Sequence, residues 1–240
     1  MSEPTIVLVH GAFADATGSW DGVTRLLLGR GHRVVTVANP LRGLHHDADY
    51  LRTTLATTPG PIVLVGHSYG GAVITQAATE AENVSALVYV AAFAPDQDES
   101  AGELDRRFGG VAQEVTTARP LPGADEADPD GPPRVELSID PARFHDVFAP
   151  DTTAADAALL AVNQRPLALA AMLEPAGAPA WKRHPVHYAI ATEDRMIPVA
   201  GQRFMAGRMN ANVVEVPTGH LAMLGAPEAI ARLITTATGH

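Results

Sequence analysis

Pro61-Ile62-Val63-Leu64-Val65-Gly66-His67-Ser68-Tyr69-Gly70-Gly71-Ala72-Val73-Ile74 passes from one apolar run into another across a G-x-S-x-G pentapeptide. The first run, Pro61–Gly66, is short and without polar alternation, as in a strand covered on both faces of a parallel sheet. The second, Tyr69–Ala81, reads as a helix. A serine at such a junction sits on a tight turn that lifts its hydroxyl out of the sheet, so the glycines two residues away supply positions without a Cβ. Gly71 then lets the helix lie close to the strand. Outward from this point the same alternation recurs. Thr5–His10, Arg33–Ala38, Ala86–Ala91, Val186–Ala191 and Val213–Val216 read as further strands. Between them, Trp20–Arg30 carries Val23, Leu26 and Leu27 on one side, and Asp47–Thr57 carries Leu51 and Leu55. Pro198–Arg208 and Pro227–Thr236 complete the helical set. Strand and helix in alternation predict one α/β domain, a six-stranded, mainly parallel sheet with helices on both faces.

One stretch breaks the pattern. Between Pro95 and Pro185 no continuous apolar strand appears, and helical pieces are expected at Pro141–Phe148, Thr152–Gln164 and Leu167–Leu173. The expected organisation is therefore a core of residues 1–94 and 186–240 with a helical cap, 95–185, inserted before the strand Val186–Ala191. An insertion there overhangs the carboxyl ends of the strands, where sites of open α/β sheets gather. Residues 95–130 hold ten acids and three arginines, which accounts for −7 of the net charge of −10. That acidity, with the Pro- and Gly-rich loop Pro120–Pro133, reads as solvated surface rather than a cation site.

Composition narrows the function classes. At 46% hydrophobic and 18% charged residues the chain is globular, and 240 residues suffice for a core without staples. With no cysteine, a disulfide framework, a thiolate metal site and a cysteine nucleophile are all excluded. Net charge of −10 is a poor match to a polyanion, so no nucleic-acid partner is expected. Met1-Ser2-Glu3-Pro4 has no basic region, and the apolar run behind it is too short for a signal peptide or a membrane span. A soluble, cytoplasmic monomer or homodimer acting on a small molecule is the expectation. His45-His46-Asp47-Ala48-Asp49 starts a helix and implies no third ligand group, and Gly11 to Ser19 lacks phosphate-loop spacing, so neither metal nor cofactor is indicated.

A serine nucleophile needs a base and an orienting acid, and the elbow predicts the chain order serine, acid, histidine. Of ten histidines, His220 alone follows the last strand on a loop at its carboxyl end. His67 would point away from an outward Ser68, and His10 fits a buttress of the loop behind the first strand. For the acid, Asp194 in Thr192-Glu193-Asp194-Arg195 is preferred to Asp96 and Glu193, the alternative being that Asp194 or Glu193 merely caps the helix near Pro198. An oxyanion would need two backbone N–H groups: Tyr69 after the nucleophile, and Ala12 in His10-Gly11-Ala12-Phe13, with Phe13 as the other possibility. The pocket is expected to draw on Phe13, Tyr69, Phe93, Leu159, Met172 and Leu221.

These blocks, with Ala91-Ala92-Phe93-Ala94-Pro95-Asp96 and Gly219-His220-Leu221-Ala222-Met223-Leu224, fall in the order of the α/β-hydrolase superfamily. The chain resembles the group of plant methylesterases, salicylate-binding esterases and hydroxynitrile lyases, and their bacterial relatives, nearly end to end. The resemblance implies an α/β-hydrolase fold, a Ser68–Asp194–His220 triad and a cap over an apolar pocket. It points to an enzyme, a serine hydrolase of small, largely apolar carboxylic esters. The lyases of the group carry threonine and lysine where this chain has Gly11 and Leu221, which favours hydrolysis. A thioesterase, lactonase, biosynthetic cyclase or slow ligand-binding receptor shares the motifs and stays open.

Overall fold

In a computed structural model that describes residues 3–122 and 133–239, nine strands and eleven helices follow one another along the chain. Strands β1 (Thr5–Val9), β2 (Arg33–Val37), β3 (Ile62–His67), β4 (Val84–Val90), β8 (Val186–Ala191) and β9 (Asn212–Val216) form one sheet in the order β2-β1-β3-β4-β8-β9. Every neighbouring pair in it is parallel. The burial of its strands explains their sequences. β1, β3 and β8 are buried at every position, hence runs that are apolar with few exceptions such as His187. The edge strands β2 and β9 are largely exposed and carry Arg33, Thr36 and Glu215.

Helix α1 (Ala16–Gly29) connects β1 to β2, and α2 (Leu44–Thr57) connects β2 back to β3 on the other side of β1. Right-handed crossovers running in opposite directions put these two helices on opposite faces. α3 (Tyr69–Ala77) and α9 (Val199–Arg208) follow β3 and β8 in the direction of α2, while α11 (Pro227–Ala237) returns to pack on α1. α3 stops at Ala77, short of the expected Ala81. Thr79 Oγ bonds back to the Gln76 carbonyl at 2.8 Å, a local alternative to continuing the helix. α2 begins at Leu44, three residues early, with its Asp47 buried. Among the described residues no helix is long and apolar enough to cross a membrane.

The segment between β4 and β8 corrects the expectation of a purely helical cap. It holds helices α4 (Ala101–Phe108), α5 (Ala112–Val115), α6 (Pro141–Val147), α7 (Ala154–Val162) and α8 (Leu169–Leu173). It also holds an antiparallel sheet, β5 (Thr116–Pro120), β6 (Val135–Ile139) and β7 (Leu167–Ala168), in the order β5-β6-β7. Val135-Glu136-Leu137-Ser138-Ile139 alternates with period two, the pattern of a half-buried strand rather than of a continuous run. Glu136 on β6 is buried and paired with both Arg42 and Arg119. Leu167-Ala168, expected as helix, pairs with Leu137 and Glu136 instead. Most of the Pro120–Pro133 loop lies outside the described residues.

Candidate active site

Ser68 follows β3 directly, in a conformation that side chains seldom adopt, φ 53° and ψ −125°. The surrounding backbone fixes it there. Its N–H donates to the Val90 carbonyl at 3.3 Å, and its carbonyl accepts from Gly71 N–H at 3.0 Å and Phe93 N–H at 3.1 Å. A Cβ on Gly66 would stand 2.6 Å from the Gly70 carbonyl oxygen, so the turn closes only without one.

On this turn Ser68 Oγ lies 2.9 Å from His220 Nε2, and His220 Nδ1 lies 2.9 Å from Asp194 Oδ2. The histidine is carried by the loop after β9, and the aspartate by the loop after β8. Asp194 divides its two carboxylate oxygens between two sets of partners. Oδ1 accepts from the Met196 and Ile197 N–H groups at 2.7 and 3.0 Å, closing the turn ahead of α9. Oδ2 accepts from His220 and from Gln202 Nε2 at 2.8 Å. An acceptor-only carboxylate so surrounded makes His220 Nδ1 the protonated nitrogen and leaves Nε2 to accept from Ser68. Gln202, fully buried on α9, also donates to Ile197 and accepts from Ala191 N–H. No sequence signal separated it from other helical polar residues. His67 Nε2 lies 3.0 Å from the His220 carbonyl, and burial, with His220 beside it, holds the His67 pKa well below the ordinary histidine value. Asp96, the rival acid, pairs instead with Lys182 at 2.5 Å.

His10 ends in the buttress that its position suggested. Its Nε2 accepts from Asn39 N–H at 3.1 Å and lies 3.2 Å from Arg165 Nη1, so Nδ1 carries the proton donated to the Gly11 carbonyl at 2.8 Å. Burial pulls the His10 pKa down to about 4, against the opposing pull of the Gly11 bond, so the ring is neutral at pH 7. Because a peptide is planar and trans, a Gly11 carbonyl held towards His10 turns the Ala12 N–H the opposite way. Among the described residues the N–H groups of Ala12 and Tyr69 have no acceptor. Phe13 N–H is taken: it donates to the Arg165 carbonyl at 3.1 Å. Gly11 itself has no room for a side chain, since a Cβ would meet Ser68 Cβ at 2.6 Å and the His67 carbonyl at 2.8 Å. Gly11→Ala is therefore expected to displace the elbow and cut turnover by roughly tenfold or more, a loss on the scale of an ångström's misplacement. Steady-state kinetics beside a thermal melt would check it.

Ser68 and His220 open into a cavity whose wall includes Ala12, Phe13, Tyr69, Phe93 and Met172. Two residues expected there are elsewhere. Leu159 is 61% exposed, because α7 buries Ala157 and Ala161 and turns Leu159 outward. Leu221 is buried behind Phe13 and Phe148, against a separate small void. Phe148 was missed: its ring lies 5.2 Å from that of His220 and edge-on to Phe13 at 6.1 Å.

Asp105 was missed too, and it contradicts the reading of the acidic stretch as surface. It is 5% exposed and faces the cavity from α4. The helical spacing Ala101, Leu104, Asp105 places it on the buried face of α4, so the signal was present. Burial pushes its pKa up to about 6, opposed by nearby His220 and Arg106. A carboxyl raised in the folded state binds its proton more tightly there. Its contribution to stability is thus fullest below about pH 4 and is lost as pH rises to about 6. Asp105→Asn is expected to stabilise the fold at pH 8 by about 1–2 kcal/mol, discounted for solvent in the cavity, with no gain at pH 4. Urea denaturation at the two pH values reads this directly.

A model of the Alpha/beta hydrolase family matches residues 6–233. The chain belongs to that family. Alpha/beta hydrolase nvfD of Aspergillus novofumigatus (strain IBT 16806) is 26% identical over 263 aligned residues, which span all of this chain and 98% of that one. A carbendazim hydrolyzing esterase of Nocardioides sp. (strain SG-4G) is 36% identical over 109 residues, 39% of this α/β hydrolase and 44% of the esterase. The crystal structure of polyneuridine aldehyde esterase shares the fold at a TM-score of 0.82, with 21% identity over 98% of this chain and 99% of that one.

Proposed function

We propose that this α/β hydrolase is a serine carboxylic-ester hydrolase acting on small, largely apolar esters, with Ser68 as nucleophile, His220 as base and Asp194 as orienting acid. The observation that carries the reading is the pair of 2.9 Å contacts that link Ser68 Oγ, His220 and the buried Asp194. Ser68 Oγ attacks the ester carbonyl carbon as its proton passes to His220 Nε2. Asp194 stabilises the resulting imidazolium and holds its orientation. The N–H groups of Ala12 and Tyr69, free of other acceptors, receive the oxyanion, and His10 fixes the first of them. His220 then protonates the departing alkoxide, and the same nitrogen activates water against the acyl-enzyme. Two of the relatives are esterases by name, which supports the reaction class. Residues 95–185 form the cap that walls the pocket, and residues 1–94 with 186–240 form the core.

A chromogenic panel of acetyl, butyryl and aryl esters tests this reading. The expected result is steady turnover preceded by a burst of one equivalent of alcohol. Cleavage of mandelonitrile with every ester left intact would replace hydrolysis by lyase chemistry. The tight fit around Gly11 speaks against the lyase pattern here, since a threonine at that position would press on Ser68.

A further inference from the structure

We propose that Asp105 is the specificity determinant of this site, taking the protonated amine of an ester substrate, so that the preferred esters carry a basic nitrogen on one arm. The inference rests on the ester-hydrolase reading and names its substrate class.

Among the described acids of its stretch Asp105 is the one both buried and unpaired, since Asp98 and Glu114 are exposed. Asp96 pairs with Lys182, Glu99 with Arg208, and Glu103 closes the cap of α4 with Ser100. The Asp105 carboxylate has no hydrogen bond and no ion pair among the described residues, although the residue is only 5% exposed. Buried carboxylates are ordinarily paired, because an unpartnered one loses its hydration for nothing in return. Neither adjacent arginine hydrogen-bonds the carboxylate: Arg106 lines the outer groove and donates to the Gly102 carbonyl, and Arg107 lies over the Phe204 ring. Where the carboxylate sits is equally pointed. Asp105, Ala112, Leu137 and Met172 border both the cavity that holds Ser68 and His220 and an outer groove beside α8. Asp105 therefore stands at the neck between the two, where Arg106 on the groove side and His220 on the cavity side are the basic side chains of the two linings. A neutral ester passing this neck would displace water from the carboxylate and offer it no partner. An ammonium group would pair with it while the ester carbonyl lies at Ser68, and the aromatic lining of Phe13 and Phe93 suits a cation. With a net charge of −10, the whole chain draws cations.

The test compares 3-(dimethylamino)propyl butyrate with its uncharged isostere, 4-methylpentyl butyrate, on the full chain and on Asp105→Asn at pH 7.5. A melt confirms that the variant is folded. The expected result is a kcat/KM at least about tenfold higher for the amine ester, carried by KM, and a ratio that collapses to about unity in Asp105→Asn. No preference, or a preference that survives in Asp105→Asn, overturns the proposal. Calorimetry with N,N-dimethylhexylamine gives a second readout that needs no turnover. Binding that weakens about tenfold in Asp105→Asn supports the cation site even if both esters prove inert, in which case it is the hydrolase reading that fails. Equal binding to the two proteins overturns the cation site even if both esters are cleaved.

Discussion

Ser68→Ala is expected to lower ester turnover by about three or more orders of magnitude while the fold survives. The reason lies in where the hydroxyl is. It tops a turn whose geometry is set by backbone bonds from Gly71, Phe93 and Val90, none of which involves Oγ. Its side-chain partner is His220. Removing one oxygen opens no hydrophobic void, yet leaves His220 without a nucleophile to activate. The residual rate would come from water attacking a carbonyl already polarised by the two amides. The measurement is kcat on an aryl ester beside a thermal melt. An unchanged melt with most of the activity retained would remove Ser68 from the mechanism.

Asp194→Asn is expected to cost on the order of 10⁴ in kcat with KM little altered, whereas Asp96→Asn should change kcat by less than about threefold. An amide at position 194 turns either an N–H or a neutral oxygen towards His220. The first forces the proton onto Nε2, which then cannot accept from Ser68. The second cannot balance the imidazolium. Because Oδ1 also receives the Met196 and Ile197 amides, the asparagine keeps those two bonds only by placing its own oxygen there, which gives up the Gln202 bond at Oδ2 and sets its NH2 against His220. The wrong tautomer is thus the arrangement that the turn selects. Asp96 meets Lys182 at the surface, so its loss is a matter of one exposed ion pair. A large fall in Asp96→Asn with Asp194→Asn active would move the acid to the loop after β4.

Much of this was legible in the sequence because burial on both faces of a parallel sheet leaves a plain mark. The runs around Val7 and Leu64 have no polar residue to interrupt them, that around Ile190 has His187 near its start, and functional side chains gather where such runs end. What lies between β4 and β8 left fainter marks. β6 is half-buried, so its signal is an alternation of five residues, and β5 is polar and ends in proline. The pocket was least legible, since α7 can turn Leu159 inward or outward at no cost that its own sequence records. Packing against α6 decides which. Asp105 was hidden by its company: surrounded in sequence by solvated acids, it differs from them only in helical phase.

The fastenings between the inserted segment and the site's own loops bear on how relatives of this protein could trade parts. Asp151 Oδ2 accepts from Gly219 N–H at 2.8 Å, one residue before His220, and Arg165 holds Phe13 N–H and reaches His10 from the opposite side. A chimera that exchanged residues 95–185 to borrow another pocket would also import whatever stands at 151 and 165. A donor lacking an acceptor at the first and a guanidinium at the second would deliver its own selectivity on a loosened histidine and a loosened amide. An exchange of this segment would change the wall of the cavity and the hydrogen bonds of the Gly219 and Phe13 loops together, so the recipient's loops would need re-fitting to the new segment.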